Sequence, residues 1–220
     1  MRSRHADEFN HDPWADDYDR KVLDESNPIR TGYAELLAWT IEQARITPAS
    51  VVMDLGSGTG NSAARIPAAG KVICVDISAR MAEQAPAKLS HLSSVEHVEA
   101  DLLEVFERPL PPLDALISTY SVHHLTEDEK PVLFDHVHGS LAPGGRAVFG
   151  DLMFESEAAR AEIDRAWQDD ERAQVMRSLD EEFPWFVDRA SRELERVGFV
   201  ELETRRFSTL SWGIAVKKSG

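Results

Sequence analysis

The stretch Asp54-Leu55-Gly56-Ser57-Gly58-Thr59-Gly60 closes the apolar run Val51-Val52-Met53 with an acid and then glycine at alternate positions. Glycines directly after a buried parallel strand let the backbone approach a ligand where any Cβ would collide. Twenty positions after Gly56, Asp76 ends a second apolar run, Lys71 to Val75. A carboxylate at that strand tip can accept hydrogen bonds from both hydroxyls of a ribose. Its competing role is to cap a helix starting over Ile77 and Ser78. A third acid, Asp101, follows the alternating stretch Val95 to Ala100 and is placed to accept an adenine amino proton, unless it is a solvated turn acid. The three acids and the loop together describe a nucleoside lying across Gly56 to Gly60.

Which nucleoside is decided by the sixth position of the loop. The dinucleotide fingerprint needs glycine there to seat a pyrophosphate on a helix N-terminus, and this chain has Asn61. A ligand without pyrophosphate, S-adenosylmethionine, suits the loop better than a nicotinamide dinucleotide. An NAD-linked oxidoreductase stays as a rival reading, with Asp76 on the ribose. The expected cofactor contacts are Asp54, Gly56, Ser57, Gly58, Gly60, Asp76, Ile77, Met81, Asp101, Leu102 and Ser118.

These residues need a sheet to bring them together. Beyond the first three runs, Leu113 to Ser118 reads as a fourth strand, and the loop Thr119-Tyr120-Ser121-Val122-His123-His124-Leu125 after it should face the reacting group. Arg146 to Gly150, behind the turn Pro143-Gly144-Gly145, gives a fifth. Phe199 to Phe207 and Leu210 to Lys217 form a closing pair. Between them, residues 156 to 197 hold two amphipathic helical stretches, with Gly198 as a C-cap. Tyr33, Leu36, Leu37, Thr40 and Ile41 recur at helical spacing after Asn27-Pro28, which predicts a helix on the sheet edge near the cofactor. Pro67 and Pro86 fall in the helices after the glycine loop and after Asp76, and each should shorten or kink its helix. Thr126-Glu127-Asp128-Glu129 reads as a capping box for a helix whose Val132, Leu133 and Val137 face inward.

In this order the motifs resemble the seven-stranded class I S-adenosylmethionine-dependent methyltransferases over nearly the whole chain. Within that class, Ser118 to Lys130, Phe149 to Glu155, Gly198-Phe199 and Trp14-Ala15-x-x-Tyr18-Asp19 look like the YrrT-like methyltransferase family. The resemblance implies an α/β, Rossmann-like, mostly parallel seven-stranded sheet with an antiparallel terminal strand and helices on both faces. It also implies cofactor contacts at Gly56, Asp76 and Asp101, the positions already chosen on chemical grounds. Residues 1–48 are expected to form an N-terminal helical lid and residues 49–220 the core, with the helical insert at about 156–197.

The implied reaction is an in-line displacement in which an acceptor attacks the sulfonium methyl and S-adenosylhomocysteine leaves. Alignment alone supplies about 7 to 11 kcal/mol in such reactions, so neither a covalent intermediate nor a metal is required. Tyr18, Tyr120, His123 and His124 are the candidate bases or orienters, histidine for its pKa near neutrality. His124 has a competing role, bonding backbone at a helix start. Trp14 and Tyr18, four apart, either close over the ligand or staple the N-terminal arm to the core. His136 and His138 are two apart on a helix and point to different faces, so no metal is expected.

With 39 acidic and 24 basic residues the chain carries a formal charge of −15 in 220 residues, which repels phosphate backbones and argues against a nucleic-acid partner. The acceptor is expected to be a small molecule, and sulfur amino-acid metabolism is the context the YrrT-like resemblance suggests. A non-catalytic S-adenosylmethionine-binding sensor or partner module is the alternative. The length suits one domain, and a homodimer is left open. No run is long and apolar enough for a membrane partner, and residues 1 to 8 lack a signal-peptide pattern, so a cytoplasmic chain is expected. The single cysteine, Cys74, lies inside the second strand and reads as a small buried hydrophobe.

Overall fold

The computed structural model describes residues 1–10, 12 and 15–220. Its sheet runs β3-β2-β1-β4-β5-β8-β7, built from β1 (Val51–Leu55), β2 (Lys71–Asp76), β3 (Val95–Glu99), β4 (Leu113–Thr119), β5 (Leu141–Phe154), β7 (Phe199–Arg206) and β8 (Ser211–Lys218). A two-residue strand, β6 (Trp185–Phe186), adds to the end of β5. The first five strands are parallel, and β8 is antiparallel to both β5 and β7. The antiparallel strand is last in the chain but sits one place in from the edge, which β7 occupies.

Strand periodicity divides the core. Met53, Leu55, Ile73, Val75 and Leu116 face one layer, where they meet Leu133, Phe134, Ala190 and Leu194. Those four belong to α4 (Glu129–Ser140) and α7 (Val187–Val197). Val52, Val72, Cys74, Ala115 and Ile117 face the other layer, against Trp39, Ala44, Ala85 and Leu89. Trp39 and Ala44 come from α2 (Tyr33–Ala44) and Ala85 from α3 (Ala79–Lys88). The continuous apolar runs of β1 and β2 follow from burial on both faces, whereas edge strand β3 buries neither completely.

Several local readings are corrected. Helix α2 packs on β4, β5 and β8, the middle of the sheet, and not on its edge. Gly150 and Gly213 allow this, since a Cβ on either would lie 2.3 Å from Leu36 or Trp39. It is therefore part of the core layer, while Ser3, Ala6, Phe9 and Tyr18 line the site. The helix expected after the glycine loop is a single 3-10 turn, Ala63–Arg65. Ile66, which precedes Pro67, is extended at φ −69° and ψ 117°, so the turn cannot propagate. Pro86 is accommodated inside α3. The turn at Pro143-Gly144-Gly145 lies within β5, where a register shift against β4 absorbs it. The insert holds three helices, α5 (Glu157–Ala166), α6 (Asp170–Asp180) and α7. Only half of the capping box forms: Glu129 accepts from the Thr126 backbone N–H at 2.9 Å and from its hydroxyl, while Asp128 holds the N-cap position and its carboxylate accepts from Thr126 Oγ1 and Arg4 rather than from a helix N–H. Val132 is only half-buried, whereas Leu133 and Val137 are fully inside. Gly198 caps α7 at φ 109°. No helix among the described residues is long and apolar enough to cross a membrane.

Candidate active site

The sheet order reverses between β1 and β4, and in open α/β sheets ligands bind at the carboxyl ends of the strands beside that point. The glycine loop after β1 and the loop after β4 meet there. Gly56 is left-handed at φ 73°, and a Cβ on it would lie 2.4 Å from the Ser121 side chain. Gly58, at φ 51°, faces open space: among the described residues its missing Cβ would have only Tyr18 Cε1 at 4.0 Å. The loop is tied down by Gly56 and Ser57 N–H groups, both donating to Val75 O at 2.8 Å. Asn61, the residue that breaks the dinucleotide fingerprint, joins a network instead. Lys88 Nζ donates to Asn61 Oδ1 at 2.7 Å and to Thr59 Oγ1 at 2.8 Å, and pairs with Asp19 at 2.5 Å. Asp19 lies on α1 (Ala15–Val22), so the network fastens α1 over the loop.

The three acids differ in their partners. Asp76 accepts from Gly58 N–H at 2.7 Å and Ser78 N–H at 2.8 Å. The capping role belongs to Ser78, whose Oγ accepts from Met81 N–H, so Asp76 is not the N-cap. Burial pushes the Asp76 carboxyl up, and the backbone donors oppose this. Asp101 is buried rather than solvated. It accepts from Ser3 N–H at 2.9 Å, from the Ser3 hydroxyl and from Leu103 N–H. Asp54 is fully buried behind the loop: Oδ2 accepts from Ala63 N–H at 3.2 Å, while Oδ1 has no partner among the described residues. Burial pushes its pKa up to about 7.

Two cavities meet at these loops. The first is walled by Gly56, Gly58, Asp76, Ile77, Met81, Asp101 and Leu102, with Ser3, Ala6 and Phe9 across its mouth. Four other expected contacts stand off its wall: Asp54, Ser57, Gly60 and Ser118. Gly60 presses on α3 at Ala85, and Ser118 Oγ bonds Leu55 O at 2.8 Å. The enclosed space, about 70 Å³, is below the roughly 300 Å³ at which ligand sites begin, so a nucleoside enters only if residues 3–9 give way. The second cavity, about 160 Å³, is walled by Arg30, His123, Leu152, Ser178 and Glu182 among others. Tyr18, Tyr120 and His124 line both.

All four candidate catalytic residues therefore reach the second cavity. Burial pushes the Tyr18 phenol up and that of Tyr120 up to about 12, so both remain protonated donors and neither serves as a base at neutral pH. Tyr120 sits at φ 50°, a conformation that is strained for a bulky residue and is held by its N–H on Gly150 O and its phenol on Ser211 Oγ. His123 is buried on the 3-10 turn Val122–His124. Its Nδ1 lies 2.5 Å from Asp151 Oδ1, and its backbone N–H donates to Asp151 Oδ2. Burial opposes ionisation of Asp151, but His123 outweighs it and holds the carboxyl below its usual range. Against an ionised carboxylate Nδ1 is the donor, which leaves Nε2 facing the cavity, 3.9 Å from Glu182. The His124 ring bonds Glu182 Oε2 at 3.0 Å and stacks on Phe9 at 4.2 Å.

Sequence reasoning missed Arg30, Asp151 and Glu182. Asp151 carried a usable signal, an acid just past the strand motif Phe149-Gly150, whereas Glu182 is one of several acids in the insert. The pairing expected of Trp14 with Tyr18 lies outside the described residues. His136 and His138 diverge as expected, one stacked on Phe106 and the other edge-on to Phe199. His123, His124 and Glu182 do converge, each offering one ligand atom within 4.8 Å of the others.

Residues 52–145 match the family described as a methyltransferase domain. An uncharacterized methyltransferase of Oceanobacillus iheyensis is 30% identical over 210 residues, covering 93% of this chain and 94% of the relative. One of Bacillus pumilus is 31% identical over 216 residues, covering 94% and 95%. Among solved structures, the DhpI–SAM–HEP complex superposes with a TM-score of 0.68 at 18% identity, covering 98% of this chain and 99% of that one. The N-methyltransferase NodS from Bradyrhizobium japonicum WM9, in complex with S-adenosyl-L-homocysteine, gives 0.64 at 15% identity, covering 96% and 94%.

Proposed function

This chain belongs to the methyltransferase family and uses S-adenosylmethionine, and we propose that it transfers the methyl group to a small molecule held in the cavity beside His123. One observation carries the proposal. The glycine-loop cavity and the His123 cavity share the wall of Tyr18, Tyr120 and His124. Donor and acceptor sites that share a wall suit a direct transfer, in which the methyl–sulfur bond breaks as the bond to the acceptor forms.

The residues fit the cofactor. Gly58 leaves the space a Cβ would fill, and Asp76 presents a buried carboxylate on the same wall. Gly56, Gly58, Asp76, Ile77, Met81 and Leu102 would hold the adenosyl group, and Asp101 would join them once Ser3 is displaced. When bound, S-adenosylmethionine supplies an electrophilic methyl on a sulfonium sulfur. The chain's own work is orientation and proton transfer. The Tyr18 phenol, bonded to Arg30, and the Tyr120 phenol, bonded to Ser211 Oγ, would orient the reactants from the shared wall, and His123 Nε2 would accept the proton of an acceptor O–H, N–H or S–H while Asp151 stabilises the imidazolium.

The YrrT-like motifs support a thiol or other sulfur metabolite as acceptor, and the net charge of −15 supports a partner other than nucleic acid. Methyl-labelled S-adenosylmethionine incubated with the protein and a small-metabolite extract should yield one labelled product of low molecular mass. Cofactor binding with no transfer to any metabolite would select the non-catalytic module instead. A second reading has one observation in its favour, the 4.8 Å cluster of His123, His124 and Glu182. There a divalent cation would polarise the acceptor, and the Asp151–His123 bond has the form of a carboxylate supporting a metal ligand. Activity lost on dialysis against a chelator and restored by zinc would select that reading; activity unchanged by the chelator would exclude it.

A further inference from the structure

Arg30 lies in the turn before α2, where its N–H donates to Asn27 O at 2.8 Å. Its guanidinium carbon stands 4.6 Å from the Tyr120 ring centroid and 6.0 Å from that of Tyr33, and it bonds the Tyr18 phenol. The side chain lines the second cavity. Among the described residues its buried Nη1 has no hydrogen-bond partner and no carboxylate pairs with it. That is an anomaly in a chain with 39 acidic residues against 24 basic ones. Glu25, five residues earlier, is committed elsewhere, accepting from Gly32 N–H at 3.1 Å and Ala34 N–H at 3.0 Å at the start of α2. Glu182, on the same cavity, accepts from His124.

A buried guanidinium nitrogen without a partner is costly and calls for a physical reason, and a bound anion supplies one. We propose that the methyl acceptor is an anion whose carboxylate, phosphate or phosphonate oxygens bind Arg30, with the atom to be methylated directed toward the His123 end of the cavity. The aromatic faces of Tyr120 and Tyr33 fix the guanidinium plane, so its free edge is preorganised for an oxyanion. Glu182, at the histidine end, repels the same charge and gives the acceptor a direction. The inference rests on the methyltransferase reading.

The test uses the full chain with methyl-labelled S-adenosylmethionine and a small-metabolite extract, the labelled product being run on an anion exchanger at neutral pH. A product retained by the exchanger is expected. With that acceptor, Arg30→Met should raise KM about 10- to 100-fold, the range for losing one charge-assisted hydrogen bond, with kcat and S-adenosylhomocysteine affinity changed far less. Arg30→Lys should recover part of the loss, and melting curves identify any variant that fails to fold. In parallel, inorganic phosphate and acetate are titrated into wild type saturated with S-adenosylhomocysteine. Binding of either that disappears in Arg30→Met supports the proposal, and this titration decides alone if the extract gives no labelled product. A neutral or cationic product, an unchanged KM, or absence of anion binding overturns it while leaving methyl transfer intact. Wild type that binds no S-adenosylhomocysteine overturns the underlying reading instead.

Discussion

Asp54 makes a pH prediction that a single substitution can isolate. It is fully buried, one carboxylate oxygen has no partner among the described residues, and burial raises its pKa from 3.8 to about 7. The folded state therefore holds this proton more tightly than the unfolded chain does. Between pH 3.8 and about 7 the native protein binds more protons than the unfolded one, so the Asp54 contribution to stability falls as pH rises and is fully lost above about 7. At 1.36 kcal/mol for each tenfold in proton affinity the whole interval amounts to about 4 kcal/mol, and the part between pH 5.5 and 8 to about 2 kcal/mol. Asp54→Asn is neutral at every pH and removes that slope. Urea unfolding of wild type and Asp54→Asn, measured from pH 5.5 to 8, should show the variant gaining about 2 kcal/mol relative to wild type across the range. A constant offset between the two would refute the reasoning, because it would mean that Asp54 ionises at its ordinary pKa in the folded state.

Three further outcomes follow from the geometry. Gly56→Ala drives a Cβ into Ser121 at φ 73° and should lower the unfolding free energy by about 2 kcal/mol or more, whereas Gly58→Ala meets open space, should cost about 1 kcal/mol, and should weaken S-adenosylhomocysteine binding at least about tenfold in calorimetry. Asp151→Ala strips the acceptor from the His123 ring, the backbone N–H groups of His123 and Leu152, and Trp185 Nε1. Chemical denaturation should show a loss of about 3 to 5 kcal/mol at neutral pH, a difference that shrinks as pH falls through the acid range, because the lowered pKa makes the contribution full only where Asp151 is ionised. Ser3 occupies Asp101, so saturating S-adenosylhomocysteine should speed amide hydrogen exchange over residues 3–9; unchanged protection there would mean that the nucleoside enters without displacing them.

The donor side of the site was legible in the sequence because its chemistry is written in contiguous residues. A glycine loop after a β-branched run, and an acid at the end of the next run, carry their position beside one cavity within a few letters. The positions of β1, β2, β4 and β5 followed from similar apolar runs, since burial on both faces leaves no alternation to misread, whereas β3 was read from its alternation. What escaped was set by contacts distant in sequence. Arg30 belongs to the cavity only because α2 lies on the middle of the sheet, against Gly150 and Gly213. Glu182 reaches His124 across 58 positions. Helix α6 went unread because Val175, Met176 and Leu179 are sparse apolar marks in a charged stretch, and they find their partners in a cluster with Tyr33, Leu36 and Leu152. Asp101 lines the cavity, but its bond to Ser3 has no local signal in either segment.

The central claim is that the cavity between the glycine loop and Asp76 receives the adenosyl group. Calorimetric titration of S-adenosylhomocysteine into wild type and Asp76→Asn tests it most directly. The account predicts one site per chain in wild type and an affinity lower by about 10- to 100-fold in the variant, with cooperative unfolding retained, because an amide would replace the carboxylate proposed to accept the ribose hydroxyls. Equal affinity in the two proteins, or no binding in wild type, would contradict it.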